Sequence, residues 1–132
     1  MSAVISQTYQ NKRGFKMTES LVQEQCIPCR VGGNQAQDCE IETWIKPLPQ
    51  WKVESHNGIR QLVREYKFKN FRLALAFTNK VGEIAEQEKH HPGILTEWGK
   101  VTVTWWTHSV GGLHKNDFIM AAKTDALFDA QK

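Results

Sequence analysis

WKVESHNGIRQLVREYKF, residues 51–68, is the stretch of sequence that decides the fold. Asn57 and Gly58 favour a two-residue turn, because asparagine and glycine tolerate the positive φ angles that such a turn requires. Within residues 62–67, alternate side chains separate into a Leu-Arg-Tyr face and a Val-Glu-Lys face. The stretch therefore predicts a β-hairpin, with His56 exposed to solvent beside the turn.

Helical patterns stand on both sides of this hairpin. Residues 39–49, CEIETWIKPLP, place apolar side chains three and four positions apart and then meet two prolines, which predicts a short helix. Residues 70–90 predict a long helix that Asn70 can cap and that Pro92 ends. The stripe expected to pack on a sheet consists of Phe71, Ala74, Phe77, Val81, Ile84 and Ala85.

A second strand pair and a last helix complete the pattern. Residues 94–108, ILTEWGKVTVTWWTH, alternate so that Val101, Val103 and Trp105 share one face. A loop follows, and residues 116–130 predict the closing helix. The order α-β-β-α-β-β-α predicts an α+β fold, with a four-stranded antiparallel sheet and helices packed on one face.

The sequence divides into two parts of different character. Residues 1–36 are polar and mixed, and predict an N-terminal arm that is poorly structured or loosely packed. Residues 37–132 predict a single α+β domain. Because a four-stranded sheet leaves two edge strands open, and symmetric pairing of edges is a common remedy, we expect a homodimer or homotetramer.

Composition excludes several classes of protein. The chain has 132 residues, of which 40% are hydrophobic, and a formal net charge of only +3 without a dense basic run. No nucleic-acid partner is therefore expected. The longest apolar run, residues 73–77, is too short to span a bilayer, and residues 1–15 contain no leader-like apolar region. Together with an odd number of cysteines, three, these features predict a cytoplasmic protein with reduced thiols and no membrane association.

Histidines mark the candidate site. His90, His91 and His108 are three of the chain's five histidines and fall within nineteen positions. Pro92 places the adjacent pair at the end of the long helix, and His108 ends a strand. Side chains at the ends of elements lie at the rim of a domain rather than in its packed centre.

Two further features accompany the histidines. Asp117 falls in the first turn of the last helix, where it could accept a hydrogen bond from an imidazole and fix its tautomer. The pair Gly111-Gly112 follows His108, and glycine lets backbone approach a ligand closely. The ends of three elements can therefore converge on one pocket.

Three interpretations of the histidines are open from the residues alone. The pair could be ordinary surface sequence. A metal site is disfavoured, because adjacent side chains diverge and the i, i+4 pair of a zinc helix is absent. Cys26 and Cys29 are half of a zinc ribbon without a second half, and the CxxC lies in the polar arm rather than between a strand and a helix. Acid–base chemistry without a cofactor remains, because imidazole titrates near neutral pH and can act as acid or base.

The full string E-x-x-x-HHP, strand, TH-x-x-x-GL-x-x-x-D resembles the pterin-4a-carbinolamine dehydratase family. Its matching pieces are Glu86, His90-His91-Pro92, Val101 to Val103, Thr107-His108, Gly112-Leu113 and Asp117. The resemblance runs from about Trp51 to about Leu127. It implies dehydration of 4a-hydroxytetrahydropterin to quinonoid dihydropterin, a hydro-lyase reaction of tetrahydrobiopterin recycling that needs no cofactor. An alternative on the same fold is a non-catalytic dimeric binding module or a protein like a transcriptional cofactor.

The resemblance also implies roles for individual residues. They comprise three catalytic histidines, two supporting carboxylates and three substrate-binding residues: His90, His91 and His108; Asp117 and Glu86; Pro92, Thr107 and Gly112. His91 and His108 are the expected proton-transfer pair, while His90 holds the pterin or shares the acid role. The partner implied is the small-molecule pterin substrate.

Three positions depart from the pattern of the family. Lys89 stands where Asp or Asn is common, and Ile94 stands where many members carry a tryptophan that could form a wall for the pterin. Trp98 or Trp106 could take that place. His114 replaces the usual Ser or Thr cap of the last helix, so Asp117 is expected to be held less firmly unless another group caps.

Overall fold

The computed structural model describes residues 21–23 and 35–131. Pairs of antiparallel strands alternate with helices along the described chain, which confirms the predicted α+β class and the order α-β-β-α-β-β-α. The elements are α1 (Asp38–Ile45), β1 (Lys52–His56), β2 (Ile59–Lys67), α2 (Phe71–Glu88), β3 (Gly93–Glu97), β4 (Lys100–Trp105), a 3-10 turn (His108–Val110) and α3 (Lys115–Ala130).

Four antiparallel strands form one sheet in the order β1-β2-β4-β3. The first hairpin closes at Asn57 and Gly58, whose φ angles of 55° and 80° are the positive values that the turn sequence predicts. β2 and β4 are the central strands and pair with each other, so that Leu62 lies opposite Trp105. β1 and β3 are the edge strands.

One face of the sheet is covered by α2 and α3, and the core lies between these layers. Val101, Val103 and Trp105 of β4 are fully buried on this face, as their alternation predicts. Thr102 and Thr104 point to the opposite face and remain partly exposed. The second face of the sheet is not covered by any helix of the described part of the chain.

Helix α2 is the main cover of the sheet. The Asn70 side chain accepts a hydrogen bond from the backbone N–H of Leu73 at 2.9 Å, so the predicted cap is present. Ala74, Phe77, Val81 and Ala85 of the apolar stripe are buried and Ile84 is partly buried, but Phe71 is exposed. The periodicity correctly predicted which face of α2 is buried. It did not predict that the start of this face, at Phe71, is left uncovered. Among the described residues, no helix is long and apolar enough to cross a membrane.

Two described parts of the predicted N-terminal arm contact the domain. Leu21 and Ala36 are buried in the core cluster. Lys123 of α3 donates a hydrogen bond to the carbonyl of Val22 at 2.8 Å. Ala36 donates its backbone N–H to the carbonyl of Leu113 at 2.7 Å. Residues 1–20 and 24–34, which include the CxxC cysteines, lie outside the described residues.

A charged cluster ties α3 to the hairpin. One carboxylate oxygen of Asp125 accepts hydrogen bonds from Trp51 Nε1 at 3.0 Å, Arg64 Nη1 at 2.6 Å and the Tyr66 hydroxyl at 2.5 Å. Arg64 also lies over the ring of Tyr66, 4.2 Å from its centroid. Because the arginine and the carboxylate are both largely buried, each relies on the other to remain charged there.

Tyr66 makes the stability of this fold sensitive to alkaline pH. Burial, and next the negative charge of Asp125, raise the pKa of the Tyr66 phenol well above its ordinary value. The phenol therefore stays neutral in the folded protein, whereas it ionises in the unfolded chain near pH 10, its usual pKa being about 10. We expect the free energy of unfolding to fall as the pH rises above about 10, by up to about 1.4 kcal/mol per pH unit from this group.

Urea denaturation of the wild type and Tyr66→Phe between neutral and alkaline pH measures this contribution. The variant loses a hydrogen bond and should be less stable at neutral pH, but its stability should fall less steeply above pH about 10. Parallel curves for the two proteins would show that Tyr66 does not carry the alkaline dependence.

Candidate active site

Antiparallel pairing brings the two histidine-bearing segments together. Gly93 at the start of β3 pairs with Thr104 near the end of β4. His90 and His91 are separated from β3 only by Pro92, and His108 follows β4, so all three lie at the same end of the sheet. Pairing of β3 with β4 therefore brings the segment with His90 and His91 close to the segment with His108.

The end of α2 sets where the histidine pair begins. Lys89 adopts a left-handed conformation with φ 56° and ψ 40°, and its backbone N–H bonds to the carbonyls of the last turn. The next N–H, that of His90, reaches back to the carbonyl of Ala85 at 3.0 Å. This C-cap turns the chain out of the helix and directs His90 toward the sheet. Asn, Asp and Gly enter this backbone region more readily than lysine, so Lys89 is a strained choice at this C-cap.

Asp117 is the buried centre of the site. Its carboxylate is fully inaccessible to solvent and accepts three hydrogen bonds. The donors are Nε2 of His90 at 2.6 Å, Oγ1 of Thr107 at 2.8 Å and the backbone N–H of His114 at 2.9 Å. An ionised carboxylate accepts hydrogen bonds but cannot donate them, so this arrangement suits a charged Asp117.

His90 is held in one orientation from two sides. Because Asp117 accepts from Nε2, the imidazole carries a proton on Nε2, and Nδ1 is the acceptor of the neutral ring. The ring stacks on the indole of Trp105, with 5.7 Å between centroids and 7° between planes. Only 11% of the His90 side chain is exposed. Sequence analysis missed this role of Trp105, since alternation indicates that the residue is buried but not what its ring contacts.

His91 and His108 are both more accessible. Nε2 of His91 lies 2.5 Å from Oε2 of Glu86 on the last turns of α2, and 60% of the His91 side chain is exposed. His108 is exposed at the start of the 3-10 turn, and its ring centroid lies 4.7 Å from that of Trp106. Each of the three imidazoles thus has its own neighbour at this end of the sheet.

The loop after β4 is closed by Thr107 and Gly112. Thr107 donates its N–H to the carbonyl of Gly112 at 2.8 Å, and the two residues form an isolated antiparallel bridge. Gly112 is buried, and a β-carbon there would lie 2.6 Å from Oε1 of Gln35. Glycine at this position therefore lets the side chain of Gln35 lie close to the backbone. The Thr107 hydroxyl is directed to Asp117, and Pro92 is partly exposed. Substrate contacts by Pro92, Thr107 and Gly112 stay predictions.

The two other unusual positions have definite places in the structure. The imidazole of His114 takes over the capping role at α3, because Nδ1 accepts the backbone N–H of Asn116 at 3.1 Å while Asp117 closes the capping box. The cap is therefore retained without a hydroxyl. Ile94 is partly buried and packs against the core.

No group of three or more His, Cys, Asp or Glu side chains within residues 21–23 and 35–131 is arranged to hold a metal ion. Cys39 is an exposed free thiol on α1. The arrangement of imidazoles and carboxylates can instead donate and accept protons, because each histidine has a carboxylate or an aromatic neighbour that fixes its position.

Comparison with known proteins shows the family of the chain. Residues 34–127 match the family described as pterin 4 alpha carbinolamine dehydratase. The chain belongs to this family. The match includes every site residue named above and confirms the resemblance stated from the sequence.

Two solved structures share this fold. The crystal structure of a transcriptional coactivator/pterin dehydratase from Brucella melitensis is 31% identical, with a TM-score of 0.64 over 71% of this chain and 98% of the other. A pterin dehydratase-like protein identified as a RuBisCO assembly factor in the alpha-carboxysome is 20% identical, with a TM-score of 0.51 over 59% of this chain and 88% of that chain. The second likeness shows the fold alone.

The left-handed Lys89 predicts a stabilising substitution next to the site. Lys89→Gly should raise the free energy of unfolding by about 0.5–1 kcal/mol, because glycine adopts positive φ without a β-carbon clash. Lys89→Ala removes the same charge but keeps the β-carbon, so it should not stabilise. Chemical denaturation of the three proteins measures the difference, and equal stabilisation by both variants would indicate a charge effect instead of backbone strain.

Proposed function

We propose that this protein is a hydro-lyase that converts 4a-hydroxytetrahydropterin to quinonoid dihydropterin by general acid–base catalysis. The observation that carries the proposal is the buried Asp117–His90 pair at the end of the sheet where His91 and His108 also lie. Membership of the carbinolamine dehydratase family supports the same reaction.

The reaction requires two proton transfers and no change of oxidation state. The C4a–O bond breaks as a proton reaches the leaving hydroxyl, which departs as water. A proton leaves the adjacent ring nitrogen, whose electrons form the new carbon–nitrogen double bond. We assign these transfers to His91 and His108, because they are the more exposed imidazoles and imidazole exchanges protons near neutral pH.

His90 has a different part in this proposal. Its Nε2 is committed to Asp117 and its ring to Trp105, so it is suited to holding the pterin through Nδ1 or to sharing the acid role. Thr107 and the His114 N–H orient the carboxylate of Asp117, and Glu86 orients His91. Pro92, Thr107 and Gly112 lie close to these groups in the chain and complete the proposed substrate site.

The cellular setting is part of the same proposal. The reaction needs no cofactor, because both steps are proton transfers, and it would serve tetrahydrobiopterin recycling. The exposed free thiol of Cys39 suits a reducing compartment, so we place the protein in the cytoplasm.

A homodimer or homotetramer is also proposed. β3 is an edge strand, and Leu95 on it is 58% exposed. Phe71 and Leu75 are exposed on α2. An apolar edge strand and an apolar helix surface are features that symmetric association would cover.

Sedimentation velocity tests this association. The wild type should sediment as a dimer or tetramer at micromolar concentrations. Leu95→Glu places a charge on the edge strand and should lower the sedimentation coefficient toward that of a monomer, whereas His56→Ala should not. A wild-type monomer at these concentrations would contradict the proposal.

The second candidate is a non-catalytic dimeric binding module or a protein like a transcriptional cofactor. The exposed Phe71 and Leu75 favour it, because a partner could pack on this helix surface. The Brucella melitensis relative is described as a transcriptional coactivator as well as a dehydratase. Binding of a defined partner that survives His91→Ala, in a protein without dehydratase activity, would favour this candidate.

Catalysis by the histidines predicts a specific pattern of activity. His91→Ala and His108→Ala should each lower the rate of enzymatic dehydration by about 100-fold or more, since a positioned acid or base contributes on this order. His56→Ala is the matched control: this exposed histidine is paired with Glu54 on β1, with β2 between it and β4. Its activity should equal that of the wild type.

Stopped-flow spectroscopy with chemically generated carbinolamine measures these rates against the uncatalysed reaction. Circular dichroism of each variant checks that the fold is retained. A wild-type protein that gives no acceleration over the uncatalysed rate would overturn the proposed function.

A further inference from the structure

Trp106 lies beside the candidate site on the face of the sheet that the helices leave open. Its neighbour Trp105 points into the core and stacks on His90, so strand alternation directs Trp106 to the opposite face. There it remains partly exposed, and its ring centroid lies 4.7 Å from that of His108 with 46° between the planes.

The indole of Trp106 also reaches the segment that carries the other two histidines. A β-carbon built on Gly93 would lie 3.5 Å from Cζ3 and 3.8 Å from Cη2 of the indole, so the ring lies next to the backbone of Gly93. Gly93 directly follows His91-Pro92. A side chain longer than a methyl group at Gly93 would compete with the ring for this space. Trp106 therefore contacts both segments that form the site.

The other four tryptophans of the chain do not offer such a surface. Trp51 is buried and donates its indole N–H to Asp125, and Trp44 packs against Phe118. Trp105 is fully buried under His90. Trp98 is 69% exposed, but it lies between β3 and β4, at the end of this hairpin opposite to His108.

We propose that Trp106 is a substrate-binding residue against whose indole the flat, conjugated pyrimidine part of the pterin packs beside His108. This inference rests on the proposed function and names the group that recognises the pterin ring system. A large aromatic side chain next to a proton-transfer group offers a flat, polarisable surface to a conjugated part of a ring, and such stacking is insensitive to the substituents at the edge of that ring. Trp106 then contributes affinity for the bicyclic ring, while the histidines act on its hydroxyl.

Calorimetric titration with 7,8-dihydropterin, a stable compound with the same bicyclic ring system, tests the proposal. Trp106→Leu should bind about tenfold more weakly than the wild type, because base–aromatic stacking contributes on this order. Trp106→Phe retains an aromatic face and should recover most of the affinity. Trp98→Leu is the matched control and should bind as the wild type does.

Kinetics separate a binding role from a structural one. In the dehydratase assay, Trp106→Leu should raise KM by about tenfold and leave kcat within about threefold, because the conjugated part of the pyrimidine ring that packs on the indole lies away from the bond that breaks and therefore contributes equally to binding of substrate and transition state. Thermal denaturation shows whether the variant is folded. A lowered kcat at unchanged KM would assign Trp106 to positioning His108 and overturn the stacking proposal.

Nuclear magnetic resonance provides a test that does not depend on how well the leucine variant folds. The indole N–H resonance of Trp106 can be assigned by its absence from the spectrum of Trp106→Phe. Addition of 7,8-dihydropterin to the wild type should shift this resonance and leave that of Trp98 in place. A bound pterin that does not shift the Trp106 resonance would overturn the inference and leave the dehydratase proposal standing. Absence of both pterin binding and turnover in the wild type would overturn the proposed function itself.

Discussion

A carboxylate buried without solvent is the constraint on which the site depends. Asp117 is fully inaccessible, and a buried charge is tolerated only when hydrogen-bond donors replace the water it has lost. Its three donors come from three parts of the chain: the end of α2, the end of β4 and the cap of α3. Because one charge needs all three, the same interaction closes the helix cap, joins the strand end to the last helix and fixes the tautomer of His90.

This arrangement divides the site into a fixed part and an accessible part. His90 is held between Asp117 and Trp105 and has little exposed surface. His91 and His108 are exposed, with Glu86 and Trp106 as their respective neighbours. A buried pair beside accessible imidazoles suits the proposed reaction, which only moves protons. Trp105 and Trp106 contact different histidines, because adjacent residues of an extended chain point to opposite faces of the sheet.

Much of the fold could be predicted from the sequence, because its signals are local. Asn57-Gly58 specifies the hairpin through positive φ angles, Asn70 specifies the start of α2, and Pro92 specifies where it must end. Phe71 marks the limit of such reasoning. It has the spacing of a buried residue but is exposed. The spacing of apolar residues shows which face of a helix is buried, but it does not show where along the helix the sheet stops covering that face.

The sequence by itself determined the order of elements, the face of β4 that enters the core and the residue types able to move protons. Only the tertiary structure decided which groups meet: Asp117 with His90, the ring of Trp105 under that imidazole, and Gln35 over Gly112. The physical reason is the range of the interactions. Turns, caps and alternation depend on residues a few positions apart, whereas the partners of His90 lie 15 to 27 positions away and meet through strand pairing and helix packing. The cap at His114 combines both ranges, because its imidazole bonds locally while its backbone N–H completes the buried carboxylate.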